Sequence, residues 1–173
     1  MQSHRQPVSP SAEEYLLTLF RHESIGEALG TNRLARLFGV KAPSVTGMLR
    51  RLRQRGWVWY QPYRSPSLTE EGRRVAVRLI RRHRLLETYL VEVLGFPWDR
   101  VHDEVQILEH AVSEQLMERI ADKLGHPSYD PHGDPIPDAE GNIPETSHLP
   151  VGKLPEGGEA VLSRVDNRRS ALL

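Results

Sequence analysis

A mainly α-helical protein is predicted, with an N-terminal winged helix-turn-helix domain followed by an all-helical dimerisation domain. Five segments before residue 125 carry apolar residues at helical spacing. Between the third and the fourth lies WVWYQPYRSPSLT, whose aromatic and β-branched residues around a Ser-Pro turn are typical of a two-stranded ribbon. Charge is also divided, because residues 1–86 carry 16 Lys/Arg and 6 Asp/Glu whereas residues 87–173 carry 7 and 17. Such asymmetry indicates that the basic half contacts nucleic acid.

The first three helices have recognisable starts. Ser11 with Glu14 three residues on predicts a capping box at the start of a helix through EEYLLTLFRH. Thr31 is the expected N-cap of TNRLARLFGV, and KAPSVTGMLRRLRQRG follows with Pro43 tolerated in its first turn. A helix-turn-helix followed by a ribbon is the layout of a winged helix, whose second helix enters the major groove of DNA.

Polar and basic side chains of this first domain are the candidate DNA contacts. Ser44 and Thr46 can reach base edges or phosphates from the start of the second helix, and Arg64 lies at the tip of the ribbon. A solvated surface is the alternative for any single arginine. The aromatic residues of the ribbon, Trp57, Trp59 and Tyr60, are expected to pack in the core rather than to stack on bases. The predicted DNA-binding set is Thr31, Arg33, Lys41, Ser44, Thr46, Arg50, Arg51 and Arg64, with further phosphate charge from Arg53 and Arg55.

Two longer helices are predicted after the ribbon. Thr69 is the expected cap of the first, TEEGRRVAVRLIRRHRLLETYLVEVLG, which Gly95 and Pro97 end. HDEVQILEHAVSEQLMERIADKLG is expected to form one further helix. Two helices alone cannot bury the apolar stripe of this last segment, so a homodimer is predicted. The stripe comprises Val105, Leu108, Val112, Leu116, Ile120 and Leu124.

The two longer helices carry the candidate metal ligands. His83 and Glu87 are four residues apart, so they share one helix face. The side chains of His102, Gln106, Glu109 and His110 project at about 0°, 40°, −20° and 80° around an α-helix axis and also share a face. Nitrogen and oxygen donors of this kind suit borderline and hard divalent cations. A solvated face with Glu–Arg pairs is the alternative, and a metallohydrolase is another, although no separate nucleophile or base motif is visible.

Composition excludes several classes of protein. The chain has no cysteine, so neither a disulfide framework nor a thiolate site is possible. Its first residues lack the apolar run of a signal peptide, and no apolar stretch approaches the ~18 residues of a membrane span. We therefore expect a cytoplasmic protein with no membrane partner. Residues 126–150, dense in Pro, Gly and Asp, predict an extended connector, and EAVLSRV is the one strand-like run after it.

Four motifs occur in the order SLTEEGRR, RRHRLLE, VHDEVQILEH and PHGDPIP. With them, residues 10–145 resemble the diphtheria toxin repressor and manganese transport regulator family of metal-dependent transcriptional repressors. The resemblance implies a non-enzymatic homodimer that binds a double-stranded DNA operator and represses metal-uptake genes. It also implies three parts: a DNA-binding domain over 1–74, a metal-binding and dimerisation domain over 75–145, and a linker with an incomplete SH3-like tail over 146–173.

The family pattern assigns the candidate ligands to two sites. A primary site falls on Glu14, Gln106, Glu109 and His110, and a second site falls on His83, Glu87 and His102. A cation held at the primary site would tie the two domains together and so select the DNA-binding form. The other histidines, His22, His126, His132 and His148, match no site and are expected at the surface or in turns, whereas His4 lies in the N-terminal tail.

Three positions depart from the family pattern. Gln106 stands where iron-responsive members have a thiolate and typical manganese-responsive members a carboxylate. Its neutral amide oxygen disfavours soft metals, so Mn²⁺ is the expected cofactor and Fe²⁺ the alternative. Leu17 replaces a possible second carboxylate, and Gly47 replaces a longer side chain that would reach the bases. A metal-independent winged-helix repressor with a vestigial site is a further alternative.

Overall fold

The computed structural model describes residues 9–145 and 149–165, so His4 and His148 lie outside the described residues. The chain divides into two compact units, 1–79 and 80–173. The described elements are α1 Pro10–Ser24, α2 Thr31–Leu37, α3 Ala42–Gln54, β1 Val58–Trp59, β2 Ser67–Leu68, α4 Glu70–Glu92, α5 Val101–Leu108, α6 Glu114–Leu124 and a 3₁₀ turn, Val151–Lys153. None of the described helices is both long and apolar enough to cross a membrane.

The first unit is a winged helix-turn-helix, as predicted. Helices α2 and α3 form the helix-turn-helix, and the wing is the antiparallel pair of β1 and β2, with Val58 opposite Leu68 and Trp59 opposite Ser67. Apolar side chains from all of these elements form one core. Its fully buried members include Leu16, Leu19, Leu34, Val45, Leu49, Leu52 and Val58.

Two predicted helix caps are wrong. Helix α1 begins at Pro10 with Ser9 as its N-cap, so Ser11 lies inside the first turn and caps nothing. Proline fits this position because its fixed φ suits the helix and it lacks an N–H that would go unpaired. Gly30 is the N-cap of α2, and Thr31 is its first residue. Pro43 lies in the first turn of α3, as predicted.

Helix α4 begins where predicted and packs closely on the wing. Thr69 Oγ1 accepts a hydrogen bond from the Gly72 N–H at 3.0 Å and donates one to the Gly56 carbonyl at 2.6 Å. A Cβ on Gly72 would lie 1.8 Å from the Trp57 carbonyl oxygen. Only glycine therefore allows the first turn of α4 to approach the backbone that leads into β1.

One aromatic residue of the wing is placed differently from the prediction. Tyr60 is buried and Trp57 is partly buried against the core, as expected. Trp59, however, is 69% exposed. Successive side chains of a strand point to opposite faces, so the burial of Val58 and Tyr60 turns Trp59 outward.

The second unit contains a helix break that the sequence prediction missed. The segment 102–125 forms α5 and α6 rather than one helix. Ser113 begins α6, where its side chain accepts a hydrogen bond from the Leu116 N–H at 3.2 Å. The break changes the phase of the apolar stripe, so Leu116 is 47% exposed and Met117 is buried instead. The core of this unit includes Leu85, Leu86, Leu90, Val101, Val105, Met117, Ile120 and Ile136.

The described part of the predicted connector is folded rather than extended. Asp130 Oδ1 accepts hydrogen bonds from the backbone N–H groups of His132 and Asp134, each at 2.9 Å. This tight turn carries Ile136 into the core. Residues 149–165 contain no strand, so the prediction for EAVLSRV is wrong. The Val165 N–H instead donates a single hydrogen bond to the His132 carbonyl at 2.9 Å.

Candidate metal centre and DNA-binding surface

A buried carboxylate, that of Glu87 on α4, forms the centre of the candidate metal site. Its side chain is 3% exposed and faces three imidazoles. Glu87 Oε1 lies 3.1 Å from His83 Nε2, one helical turn earlier, and 3.3 Å from His102 Nδ1 in the first turn of α5. Glu87 Oε2 lies 3.8 Å from Nδ1 of His132 in the turn after α6. Two helices and a loop of the second unit therefore converge on one carboxylate.

The charge states of this cluster follow from its contacts. Burial alone would raise the pKa of Glu87, but hydrogen bonds from His102 and His83 and the positive charge of His83 lower it to about 2. Burial alone would lower the pKa of His83, but Glu109 and Glu87 raise it to about 9. The Glu109 contact is the shorter of the two, at 2.7 Å from Nδ1 to Oε2. In the metal-free protein His83 is thus an imidazolium between two carboxylates.

Two overlapping donor sets share Glu87. In each set the ligand atoms lie within 4.8 Å of one another: one contains His83, Glu87 and His102, and the other contains Glu87, Asp130 and His132. Imidazole nitrogen with carboxylate oxygen suits divalent cations such as Mn²⁺ and Fe²⁺. Binding through His83 requires loss of its proton, so metal uptake there is coupled to proton release.

The second donor set includes two residues that sequence reasoning missed. His132 was expected at the surface or in a turn; it does lie in a turn, but it is 3% exposed. Asp130 is 7% exposed, and burial raises the pKa of its carboxyl group. His132 Nε2 also contacts the Trp98 carbonyl at 2.9 Å. The one sequence signal was the motif PHGDPIP, which contains His132. The motif forms a tight turn, and a turn by itself does not indicate that its histidine is buried beside Glu87.

Two residues of the predicted primary site, Gln106 and Glu109, contact residues of the second site. Gln106 Nε2 lies 3.0 Å from His102 Nε2, and Glu109 contacts His83 as described above. His110 Nε2 lies 3.8 Å from Oε1 of the adjacent Glu109. Glu14 is exposed on α1 in the first unit. Assembly of these four residues around a metal therefore stays a prediction.

Most of the predicted DNA-binding side chains are accessible. Helix α3 buries Val45, Met48, Leu49 and Leu52, which leaves its opposite face exposed. Arg33 is accessible, and its Nη2 atom donates a hydrogen bond to Glu27 Oε2 at 2.8 Å. The same carboxylate oxygen also contacts His22. Hydrogen bonding by His22, followed by the charge of Arg33, lowers the pKa of Glu27. Of the predicted set, Arg33, Lys41, Ser44, Arg50, Arg51 and Arg64 are exposed, and Thr31 and Thr46 are half-buried.

Comparisons with known proteins agree with this architecture. Residues 8–65 match the family described as the iron dependent repressor, N-terminal DNA binding domain, and residues 69–138 match its metal binding and dimerisation domain. The iron-dependent repressor IdeR of Mycobacterium tuberculosis (strain ATCC 25618 / H37Rv) is 34% identical over 155 residues, which is 90% of this chain and 64% of that protein.

Solved structures of similar proteins cover both units. A manganese-dependent transcriptional repressor in complex with manganese is 45% identical with a TM-score of 0.68, over 78% of this chain and 62% of that one. ScaR with bound Cd²⁺ is 31% identical with a TM-score of 0.76, over 93% of this chain and 76% of that one. The chain thus spans less than two thirds of the curated relative and most of ScaR. The two domain matches, these relatives and the winged-helix fold show that the chain belongs to the iron-dependent repressor family. This family includes the diphtheria toxin repressor and the manganese-dependent repressors.

Proposed function

We propose that this protein is a metal-dependent, DNA-binding transcriptional regulator that acts as a homodimer on a double-stranded operator and represses metal-uptake genes. The observation that carries the proposal is the buried Glu87 carboxylate facing three histidines, in a chain whose other unit exposes a basic α3. Relatives named as iron-dependent and manganese-dependent repressors support it. A repressor of chromosomal genes works in the cytoplasm, where we place it.

The proposed DNA contacts follow from the orientation of α3. With its buried stripe turned to the core, α3 presents Ser44 and Thr46 toward base edges of the major groove. Lys41, Arg50 and Arg51 lie exposed on the same helix region and supply charge to phosphates. Gly47 adds no side chain to this surface, so sequence readout by α3 rests on few direct contacts.

The proposed metal ligands are those of the two-site prediction. His83, Glu87 and His102 hold one cation, and Asp130 and His132 are further donors beside the same carboxylate. Glu14, Gln106, Glu109 and His110 are the proposed ligands of the primary site. A bound divalent cation supplies a fixed positive charge in place of the proton on His83. The ligand residues then hold α4, α5 and the turn at 130–134 in one arrangement.

Manganese is the metal we propose, with iron as the alternative. The chain has no cysteine, so no thiolate donor is available, and all the candidate ligands offer nitrogen or oxygen. The group of Glu14, Gln106, Glu109 and His110 offers three oxygen donors and one nitrogen. Such oxygen-rich sets favour Mn²⁺ over softer ions by geometry, although raw affinity rises toward the later metals. The relatives include both an iron-dependent and a manganese-dependent repressor.

A DNA-binding titration tests the proposal. The probe is a duplex selected by the protein itself from a random 30-base-pair library in the presence of Mn²⁺. We expect binding in Mn²⁺ and its loss in EDTA, and we expect Glu87→Gln, His102→Ala and His110→Ala to lose the metal response. His126→Ala is the matched control, because His126 is exposed and outside both donor sets.

Each alternative has its own outcome in this experiment. Equal binding in Mn²⁺ and EDTA would identify a metal-independent repressor with a vestigial site. Hydrolysis of ester or phosphate substrates by the metal-loaded protein, without DNA binding, would identify a metallohydrolase. The family to which the chain belongs supports neither alternative.

A further inference from the structure

The tip of the wing is a β-turn with an unusual third residue. The Arg64 N–H donates to the Gln61 carbonyl at 3.2 Å, which closes a turn over residues 61–64. Proline at the second position has φ fixed near −65°, and Tyr63 at the third has φ +65°. Among the standard hydrogen-bonded β-turns, only type II combines these two signs, and its third position is normally glycine.

Tyr63 therefore has a strained backbone conformation, and packing of its ring against the described residues does not compensate for that strain. A left-handed backbone is unfavourable for a residue with a Cβ, and among the described residues only Tyr63 and His126 adopt it without being glycine. Tyr63 is 106% exposed, so its ring buries no apolar surface against the residues that the structure describes. Folding of this unit would be easier with glycine here. The turn instead holds an aromatic ring away from the body of the wing.

The surroundings of the ring indicate which partner it contacts. Arg64 is the only charged residue in the wing segment 57–69, so the tip carries a positive charge and no carboxylate of its own. The Glu23 carboxylate contacts the wing at β2, where it accepts a hydrogen bond from the Leu68 N–H at 2.7 Å. Trp59, on β1, adds a second exposed aromatic surface. An aromatic ring beside arginine fits the minor groove of DNA, where apolar side chains pack on sugars and arginine is attracted by the negative potential.

We propose that Tyr63 is a DNA-contacting residue of the wing: its ring packs against the deoxyribose wall of the minor groove that flanks the major-groove site of α3. The inference rests on the proposed DNA-binding function and adds a specificity-determining contact to it. Arg64 then lies against the phosphates that border the same groove. Because minor-groove width depends on sequence, this contact gives selectivity at base pairs that α3 does not reach.

Three substitutions distinguish the effect of losing the Tyr63 ring from the effect of relieving backbone strain in the turn. Tyr63→Gly removes the ring from both wings of the dimer and relieves the left-handed strain. We therefore expect an unchanged or higher Tm together with an affinity lower by about tenfold or more, as for loss of two aromatic contacts to nucleic acid. Tyr63→Phe keeps the ring and should bind within about twofold of wild type. His126→Gly is the matched control, because it relieves the same kind of strain in the second unit and should leave DNA affinity unchanged.

The probe is the duplex selected by wild type in Mn²⁺, and hydroxyl-radical footprinting reports on the minor-groove sugars. We expect wild type and Tyr63→Phe to protect sugars flanking each α3 site and Tyr63→Gly to lose that protection alone. Equal affinity and an equal footprint for Tyr63→Gly would overturn the inference, as would lower affinity with an unchanged footprint. Failure of wild type to bind any duplex would be seen first, and it would reject the proposed function together with this contact.

Discussion

Glu87 is the residue on which the candidate metal centre depends. Its carboxylate is buried, yet its pKa is lowered to about 2 because three histidines surround it. A buried anion without such partners would be strongly destabilising. In the metal-free protein the His83 imidazolium compensates for this charge, and a divalent cation can take over the same role.

Gln106 is the residue at which metal choice can be changed. Its amide contacts His102, so a thiolate at the same place would add a soft, charged donor beside the Glu87 cluster. We expect Gln106→Cys to shift activation of DNA binding from Mn²⁺ toward Fe²⁺, Co²⁺ or Ni²⁺ by roughly tenfold or more in metal concentration. The measurement is DNA affinity against free concentration of each metal.

Gln115→Cys is the control for Gln106→Cys, since it places a thiol on the exposed surface of α6. It should retain the wild-type order of metals. Identical activation profiles for Gln106→Cys and wild type would show that Gln106 is not a ligand. The proposed primary site would then have to be redrawn around Glu109 and His110.

Sequence reasoning found only part of the residues around Glu87. The i, i+4 pair of His83 and Glu87 and the position of His102 follow from helix periodicity, which is a local property. Asp130 and His132 were missed because their place depends on a turn packing back onto α4, a contact more than 40 residues distant in sequence. The sequence of a Pro- and Gly-rich segment does not indicate which buried side chain the segment will contact in the folded protein.

At the level of elements, helix α6 shows how a single polar side chain determines a boundary. Ser113→Ala removes the acceptor for the Leu116 N–H, and we expect the free energy of unfolding to fall by about 1 kcal/mol. Urea denaturation measures the loss. Ser11→Ala is the matched control, because Ser11 lies within α1 and makes no cap, so its replacement should leave stability unchanged or slightly raised. An equal loss for both variants would contradict the assignment of Ser113 as a cap.

The helices and the wing were predictable from local pattern, whereas the break between α5 and α6 was not. Apolar residues continue at helical spacing through residues 105–124, and neither glycine nor proline interrupts them. The break depends on Ser113 capping a new helix and on Met117 rather than Leu116 entering the core. Periodicity alone does not reveal a break when apolar residues continue at helical spacing on both sides of it. The predicted caps of α1 and α2 lie two residues and one residue after the observed caps, Ser9 and Gly30, because the exact end of a helix is only weakly specified by local sequence.

At the level of the whole molecule, the division of charge predicts how DNA binding responds to salt. If a dimer neutralises about six phosphates, the logarithm of its association constant should fall with the logarithm of salt concentration at a slope of about −5. Arg64→Ala removes one phosphate contact per wing and should reduce that slope by about 2 per dimer while weakening all duplexes about equally. Binding measured from low to high salt provides both values. A loss confined to one base position would show instead that Arg64 reads sequence.

The central claim is that metal binding and DNA binding are thermodynamically coupled. Coupling is reciprocal: the factor by which bound Mn²⁺ tightens DNA binding must equal the combined factor by which DNA tightens binding of all the Mn²⁺ ions of the dimer. The direct test is therefore calorimetric measurement of Mn²⁺ affinity in the absence of DNA and with saturating selected duplex, with a scrambled duplex as the control. We predict that the selected duplex raises Mn²⁺ affinity by about tenfold or more at each coupled site, and that the product of these factors over all Mn²⁺ sites of the dimer equals the ratio of DNA affinities in Mn²⁺ and EDTA. Equal Mn²⁺ affinity with and without the selected duplex would contradict the account.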